Sequence, residues 1–149
     1  MKYTLIPESF FSESAAEELL SQVVVLEKGD TVKSLELPCY KAVLLYTGDD
    51  ADAQRLSGML SAAAGLDCYN KVVVHQGPAA VDIVIAAGGK LLLCNSYPAA
   101  DPVTAQYFLF AALHQFQVNP EVTTVHFFGE ADETVKGDLF RHFASVEVL

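Results

Sequence analysis

A chain of 149 residues with 52% hydrophobic side chains can bury one core, or two small ones, without a metal or disulfide staple. Nineteen acids against nine Lys plus Arg leave a net charge of −10, and the basic residues lie scattered, so phosphate backbones and anionic bilayers are repelled and neither nucleic acid nor membrane is an expected partner. No apolar run approaches the roughly 18 residues of a membrane span. The start, Met1–Pro7, lacks the apolar length of an export signal, and the odd, unpatterned Cys39, Cys68 and Cys94 read as reduced thiols of a cytoplasmic protein.

Tyr3–Ile6 reads as a short strand stopped by Pro7, after which Ser12 or Ser14 caps a helix to about Leu20, with Glu13, Glu17 and Glu18 near its positive end. Val23–Leu26 is a β-branched run, Gly29-Asp30 a turn, and Thr31–Leu37 a weakly alternating strand. Ala42–Tyr46 is a buried apolar strand. Gly48 and the acids Asp49, Asp50 and Asp52 lead into a helix over 51–64 closed by Gly65.

From Lys71 the pattern sharpens. Val72–His75 is a strand, Gln76-Gly77-Pro78 a turn and Val81–Ala87 a second strand. Gly88-Gly89 forms a two-residue hairpin loop in which both positions can take positive φ, and Lys90–Cys94 is the third strand. Asp101 is an N-cap with Pro102 at the first helical position, predicting a helix to about Gln117. That helix is apolar almost all round (Tyr107, Phe108, Leu109, Phe110, Leu113, Phe116) and is expected to be buried on more than one side. Thr123–Phe128 is a fourth strand ending at Gly129. Asp132 and Glu133 open a last helix with Val135, Leu139 and Phe143 on one stripe, and Ser145–Leu149 is a fifth strand.

The order β-β-β-α-β-α-β predicts an α/β fold with a mixed five-stranded sheet and flanking helices: the hairpins give antiparallel pairs and the helical crossovers parallel ones. Residues 71–149 are expected to form this subdomain, and residues 1–70 a reduced first α/β subdomain.

The same order is found in ribonuclease H-like and actin-like ATPase domains. Specific phrases go further: Tyr3-Thr4-Leu5-Ile6-Pro7 followed by Phe10-Phe11, then Gly89-Lys90-Leu91-Leu92-Leu93 with Asn95-Ser96 and Tyr97, a helix carrying Tyr107-Phe108, and a strand ending Phe128-Gly129-Glu130. In these the chain resembles an uncharacterised family, seen mainly in Bacteroidetes, with a degenerate actin-like ATPase fold. Members of that family are typically longer on the N-terminal side, with a longer helical connection where this chain has Gly65–Lys71, so the first subdomain is expected to be shortened.

The resemblance implies where a nucleotide would sit. Kin of this fold place phosphates on the turn between the first two strands, using Asp-x-Gly and nearby hydroxyls. Here the turn is His75-Gln76-Gly77-Pro78-Ala79, without a carboxylate for Mg²⁺ and with a proline where a backbone donor is needed. The glycine pair after the fourth strand is reduced to Gly129, followed by the repelling Glu130. A reduced cleft of His75, Gln76, Gly77, Gly129 and Glu130 is the alternative reading.

Ribonuclease chemistry would need several converging carboxylates, and only Asp82 lies on the central strands. No Cys-x-x-Cys, His-x-x-x-His, Gly-x-Ser-x-Gly or Gly-x-Gly-x-x-Gly occurs, so no catalytic residue, metal site or cofactor is expected. His114 and His126 read as structural, and Cys94 as a small core hydrophobe. The apolar excess of Phe10, Phe11, Val23, Val24 and Val25 points instead to a protein interface, a homodimer being the simplest. The expected function is a non-catalytic interaction or scaffold protein.

Overall fold

Tyr3–Pro7 (β1), Lys33–Leu37 (β2) and Ala42–Tyr46 (β3) make an antiparallel sheet in the order β1-β3-β2, so the most apolar strand lies in the centre. The computed structural model describes all 149 residues, which cluster into two units, 1–61 and 62–149, with the boundary inside the helix α2 (Asp50–Gly65). In the first unit, one face of the sheet carries Ile6, Val43 and Leu45. The short helix α1 (Ala16–Ser21) closes that face with Leu19 and Leu20, joined by Phe11, Val24, Leu26 and Val32.

The first helix is less regular than expected. A 3-10 turn, Glu13–Ala15, precedes a six-residue α1, and the Ser12 side chain makes no capping bond. The β-branched run at 23–26 forms no strand; Val24 and Leu26 reach the core while Val23 and Val25 point to solvent. At the other end of the sheet Gly48, at φ +100°, faces Met1, a backbone conformation that favours glycine.

The second unit contains β4 (Asn70–Gln76), β5 (Ala80–Ala87), β6 (Lys90–Pro98), α3 (Pro102–Gln115), β7 (Thr124–Phe127), α4 (Glu133–Phe140) and β8 (Ser145–Val148). The sheet order is β6-β5-β4-β7-β8. The β5–β6 and β4–β5 pairs are antiparallel; β4–β7 and β7–β8 are parallel, as short hairpins and helical crossovers require. The mixed five-stranded sheet predicted by the element order is the one observed.

One face of this sheet presents Val72, Val74, Val81, Ile83, Ile85, Val125 and Phe127 to α3 and α4, whose Leu109, Leu113 and Leu139 complete the core. Burying one such side chain contributes about 1.5–3 kcal/mol, so this face supplies a large part of the stability of the unit. Asp101 caps α3 by accepting from the Thr104 amide, and Asp132 caps α4 by accepting from the Thr134 and Val135 amides.

Three expectations are corrected. The helix α3 is not buried on more than one side: Ala105, Leu109, Ala112 and Leu113 face the sheet, whereas Val103, Tyr107 and Ala111, four residues apart, form a solvent stripe. In the Gly88-Gly89 loop only Gly88 has positive φ (+59°), the requirement of a II′ turn rather than I′. Finally, β6 runs to Pro98, four residues past Cys94, because it follows β5 to Ala80.

Candidate functional site

In the second unit the chain leaves β4 to one side for β5 and β6, then returns to its other side for β7. Ligands in open α/β sheets bind beyond the carboxyl ends of the strands where the order reverses in this way. Here those ends are His75-Gln76-Gly77 after β4 and Phe128-Gly129-Glu130 after β7, tied by the Phe128 amide donating to the Val74 carbonyl at 2.8 Å.

His75 stands between the two turns. A Cβ on Gly77 would lie 3.7 Å from the imidazole Cε1, and a Cβ on Gly129 3.7 Å from Cδ2. The ring atom between those carbons, Nε2, therefore lies in the gap between the glycines. On the other side, Nδ1 lies 3.3 Å from Oδ2 of the buried Asp82, and Oδ1 of Asp82 accepts from the Ser96 hydroxyl at 2.5 Å. Nδ1 is thus the ring nitrogen engaged with the carboxylate, and Nε2 is the one turned to the gap between the glycines.

This row of side chains comes from strand register. His75 is opposite Asp82 across β4–β5, and Asp82 opposite Ser96 across β5–β6, so all three share the face turned away from α3 and α4. The histidine was singled out from the sequence, but its carboxylate and hydroxyl partners were not. The signal for Asp82 was present: three residues, 77–79, separate β4 from β5 and place residue 75 against 82. Ser96 was hidden by a bulge. At the hairpin Ala86 faces Leu91, but between Ile85 and Ala86 the register shifts by one, so that Asp82 meets Ser96 instead of Asn95.

The order of the three groups limits their chemistry. Nucleophilic catalysis needs a hydroxyl on the imidazole and a carboxylate behind it. Here the carboxylate is in the middle, and the Ser96 hydroxyl donates to Asp82, not to His75. Its oxygen is thus not activated by the imidazole.

The first turn and the start of α4 offer few free donors to an anion. The Gly77 amide donates to the Ala80 carbonyl at 2.8 Å, Pro78 has no N–H, and the Gln76 side-chain amide donates to the Gly77 carbonyl at 2.9 Å. The N-terminus of α4 is capped by Asp132 and flanked by Glu130 and Glu133, which oppose an anion. The crevice beneath, among Val74, Gln76, Val81, Gln106, Phe127 and Val135, encloses about 10 Å³, room for one water at most.

The other residues named from the sequence are dispersed. Phe10, Val23 and Val25 are exposed, at 73%, 61% and 82%, whereas Phe11 and Val24 pack on the core of the first unit. Cys39 and Cys68 are exposed free thiols and Cys94 is half-buried on β6. His126 is buried between the Val72 carbonyl and the Glu147 carboxylate, and His114 is exposed on α3. No three His, Cys, Asp or Glu side chains are placed to hold a metal ion, and no helix is long and apolar enough to cross a membrane.

Residues 56–145 match a family described as Protein of unknown function (DUF3822). A crystal structure from Bacteroides thetaiotaomicron VPI-5482, described as a protein with actin-like ATPase fold and unknown function, superposes with a TM-score of 0.80 at 21% identity. The match covers 99% of this chain and 65% of that one, so the chain spans about two thirds of that protein's length. No curated protein matches. The family match takes in more than half of the chain, which therefore belongs to the DUF3822 family and has the actin-like ATPase fold.

Proposed function

We propose that this DUF3822 protein is a non-catalytic interaction protein on a degenerate actin-like ATPase fold. The observation that carries the reading is the state of the first-turn donors: Gly77 N–H is bonded to Ala80, Pro78 has none, and the α4 terminus is capped by its own Asp132. A phosphate placed there would find acids where it needs amides. The exposed Phe10, Val23 and Val25 supply apolar area of the kind that meets a partner, a second copy being the simplest. The free, exposed Cys39 and Cys68 support a reducing, cytoplasmic location.

A nucleotide-responsive reading rests on one feature, the convergence of Gly77 and Gly129 on the two sides of His75. Titration calorimetry with Mg·ATP and Mg·GTP, beside thermal melts, separates the two. The interaction reading expects flat heats and an unmoved midpoint. A ligand at 100 times its Kd would add about 2.7 kcal/mol of stability, and that result would overturn it. Sedimentation velocity of wild type against Phe10→Ser with Val25→Ser tells self-association from a hetero-partner.

A further inference from the structure

The first unit carries a groove of about 390 Å³ between the start of α1 and the outer strand of its sheet, lined by Phe11, Glu13, Ala16, Val32, Lys33, Ser34 and Tyr46. Its volume lies in the range of ligand sites, and its lining includes Lys33 and Ser34 at the start of the outer strand β2. β2 pairs with β3 and with nothing on its other side, so its outer backbone groups form a template for a further strand.

Charged side chains usually protect such an edge, and here that protection is one-sided. Lys33 is folded back: its Nζ donates to the Gly48 carbonyl at 2.8 Å and to Asp50 Oδ1 at 2.6 Å, and lies 5.3 Å from the Tyr46 ring centroid. The Tyr46 hydroxyl donates to the same Asp50 oxygen at 3.0 Å. The only cation of the groove is thereby neutralised within the fold, and the Asp50 bond holds the Lys33 ammonium above its usual titration range. The exposed charges left along this edge are Glu13 beside the groove and Glu36 further along β2. Residues 1–61 as a whole hold ten acids against five basic side chains.

We propose that this groove receives an extended basic–hydrophobic peptide of a partner protein, which adds to the free edge of β2 and sets an apolar side chain against Phe11, Ala16 and Val32. Main-chain bonds to β2 supply the affinity, and the side chains on the groove-facing side of the peptide, two residues apart, supply the selectivity: apolar against Phe11, Ala16 and Val32, Lys or Arg beside Glu13 and Glu36. Glu36 shares that face with Val43 and Leu45. An acidic strand is rejected by the same carboxylates, and a second copy of this acidic chain is disfavoured as occupant for the same reason. The proposal rests on the interaction reading and adds to it a second surface, apart from the exposed Phe10, Val23 and Val25, with its own partner class.

The test uses fluorescence polarisation with a labelled Lys/Val peptide in which Val and Lys alternate along one face and Thr fills the other (Val-Thr-Lys-Thr repeats), its Glu/Val counterpart, and amide shift mapping of the ¹⁵N-labelled protein. The expected result is saturable binding of the Lys/Val peptide only, with shifts confined to Glu13–Ala16 and Val32–Leu37. The exposed-site double variant Glu13→Lys, Ser34→Lys should bind about tenfold more weakly or worse. No binding, equal binding of the acidic peptide, or shifts elsewhere would overturn the groove. None of these outcomes would touch the interaction reading, which falls only if nucleotide binds in the calorimeter.

Discussion

Nδ1 of His75 sits 3.3 Å from Oδ2 of Asp82, two residues held directly opposite each other in the β4–β5 register, with Ser96 on the far oxygen of the same carboxylate. A buried carboxylate bonded on both sides organises the residues around it, and removing it takes an acceptor from two half-buried groups. We expect Asp82→Ala to lower the stability of the second unit by about 2–4 kcal/mol, against about 1 kcal/mol for Ser96→Ala. Urea unfolding of both variants measures this. Equal, near-zero losses would mean the row has no structural weight.

The cap of α3 gives a pH prediction. The Asp101 carboxyl is held below its ordinary value of 3.8, first by the Thr104 amide and then by the Thr104 hydroxyl. A group whose folded pKa is depressed contributes stability above its unfolded value and loses it as pH falls through the folded one. The contribution is therefore complete at neutral pH and declines below 3.8. Asp101→Asn keeps a capping oxygen but does not titrate, so its urea midpoint should fall less than that of wild type between pH 5 and pH 2.5. Asp30 and Asp50 shift in the same direction in both proteins and cancel in the comparison.

Asp132 provides the matching cap at α4, where its Oδ1 accepts from two amides. Asp132→Ala should cost about 1 kcal/mol, with the loss of protection read by hydrogen exchange confined to α4. Global loss of protection would contradict a local cap.

Two phenylalanines of the second unit should separate. Phe127 lies in the core between the sheet and the helices, and Phe127→Ala is expected to cost about 3–5 kcal/mol. Phe140 is exposed on α4, and Phe140→Ser should change stability by no more than about 0.5 kcal/mol. Denaturant melts check both.

Gly129 has φ +90° and its missing Cβ faces His75 at an ordinary contact distance, so Gly129→Ala is strained by backbone and not by crowding. The expected cost is about 1–2 kcal/mol, while Gly89→Ala, which has neither positive φ nor a neighbour within 4 Å, should be nearly silent. Matching losses at the two positions would show that the turn after β7 tolerates a side chain.

The local sequence determined a good deal of this protein. Apolar runs of strand length, Gly-Gly and Gly-Pro punctuation, and the Asp101-Pro102 start placed every strand of the second unit and both its helices, because turns, caps and periodicity are decided by residues a few positions apart. Element order then dictated which pairs are parallel. The histidine of the site and its two glycine turns were legible for the same reason. What only the tertiary structure decided was long-range. The one-residue shift at Ile85/Ala86 turns Ser96, not Asn95, toward Asp82, and no local preference encodes a register that depends on packing summed along two strands. The placing of Phe11 inward and Phe10 outward has the same origin, since both are equally apolar and only the position of α1 over β3 chooses between them. So does the free edge of β2, which exists because the chain returns past it to put the most apolar strand, β3, in the centre of the sheet.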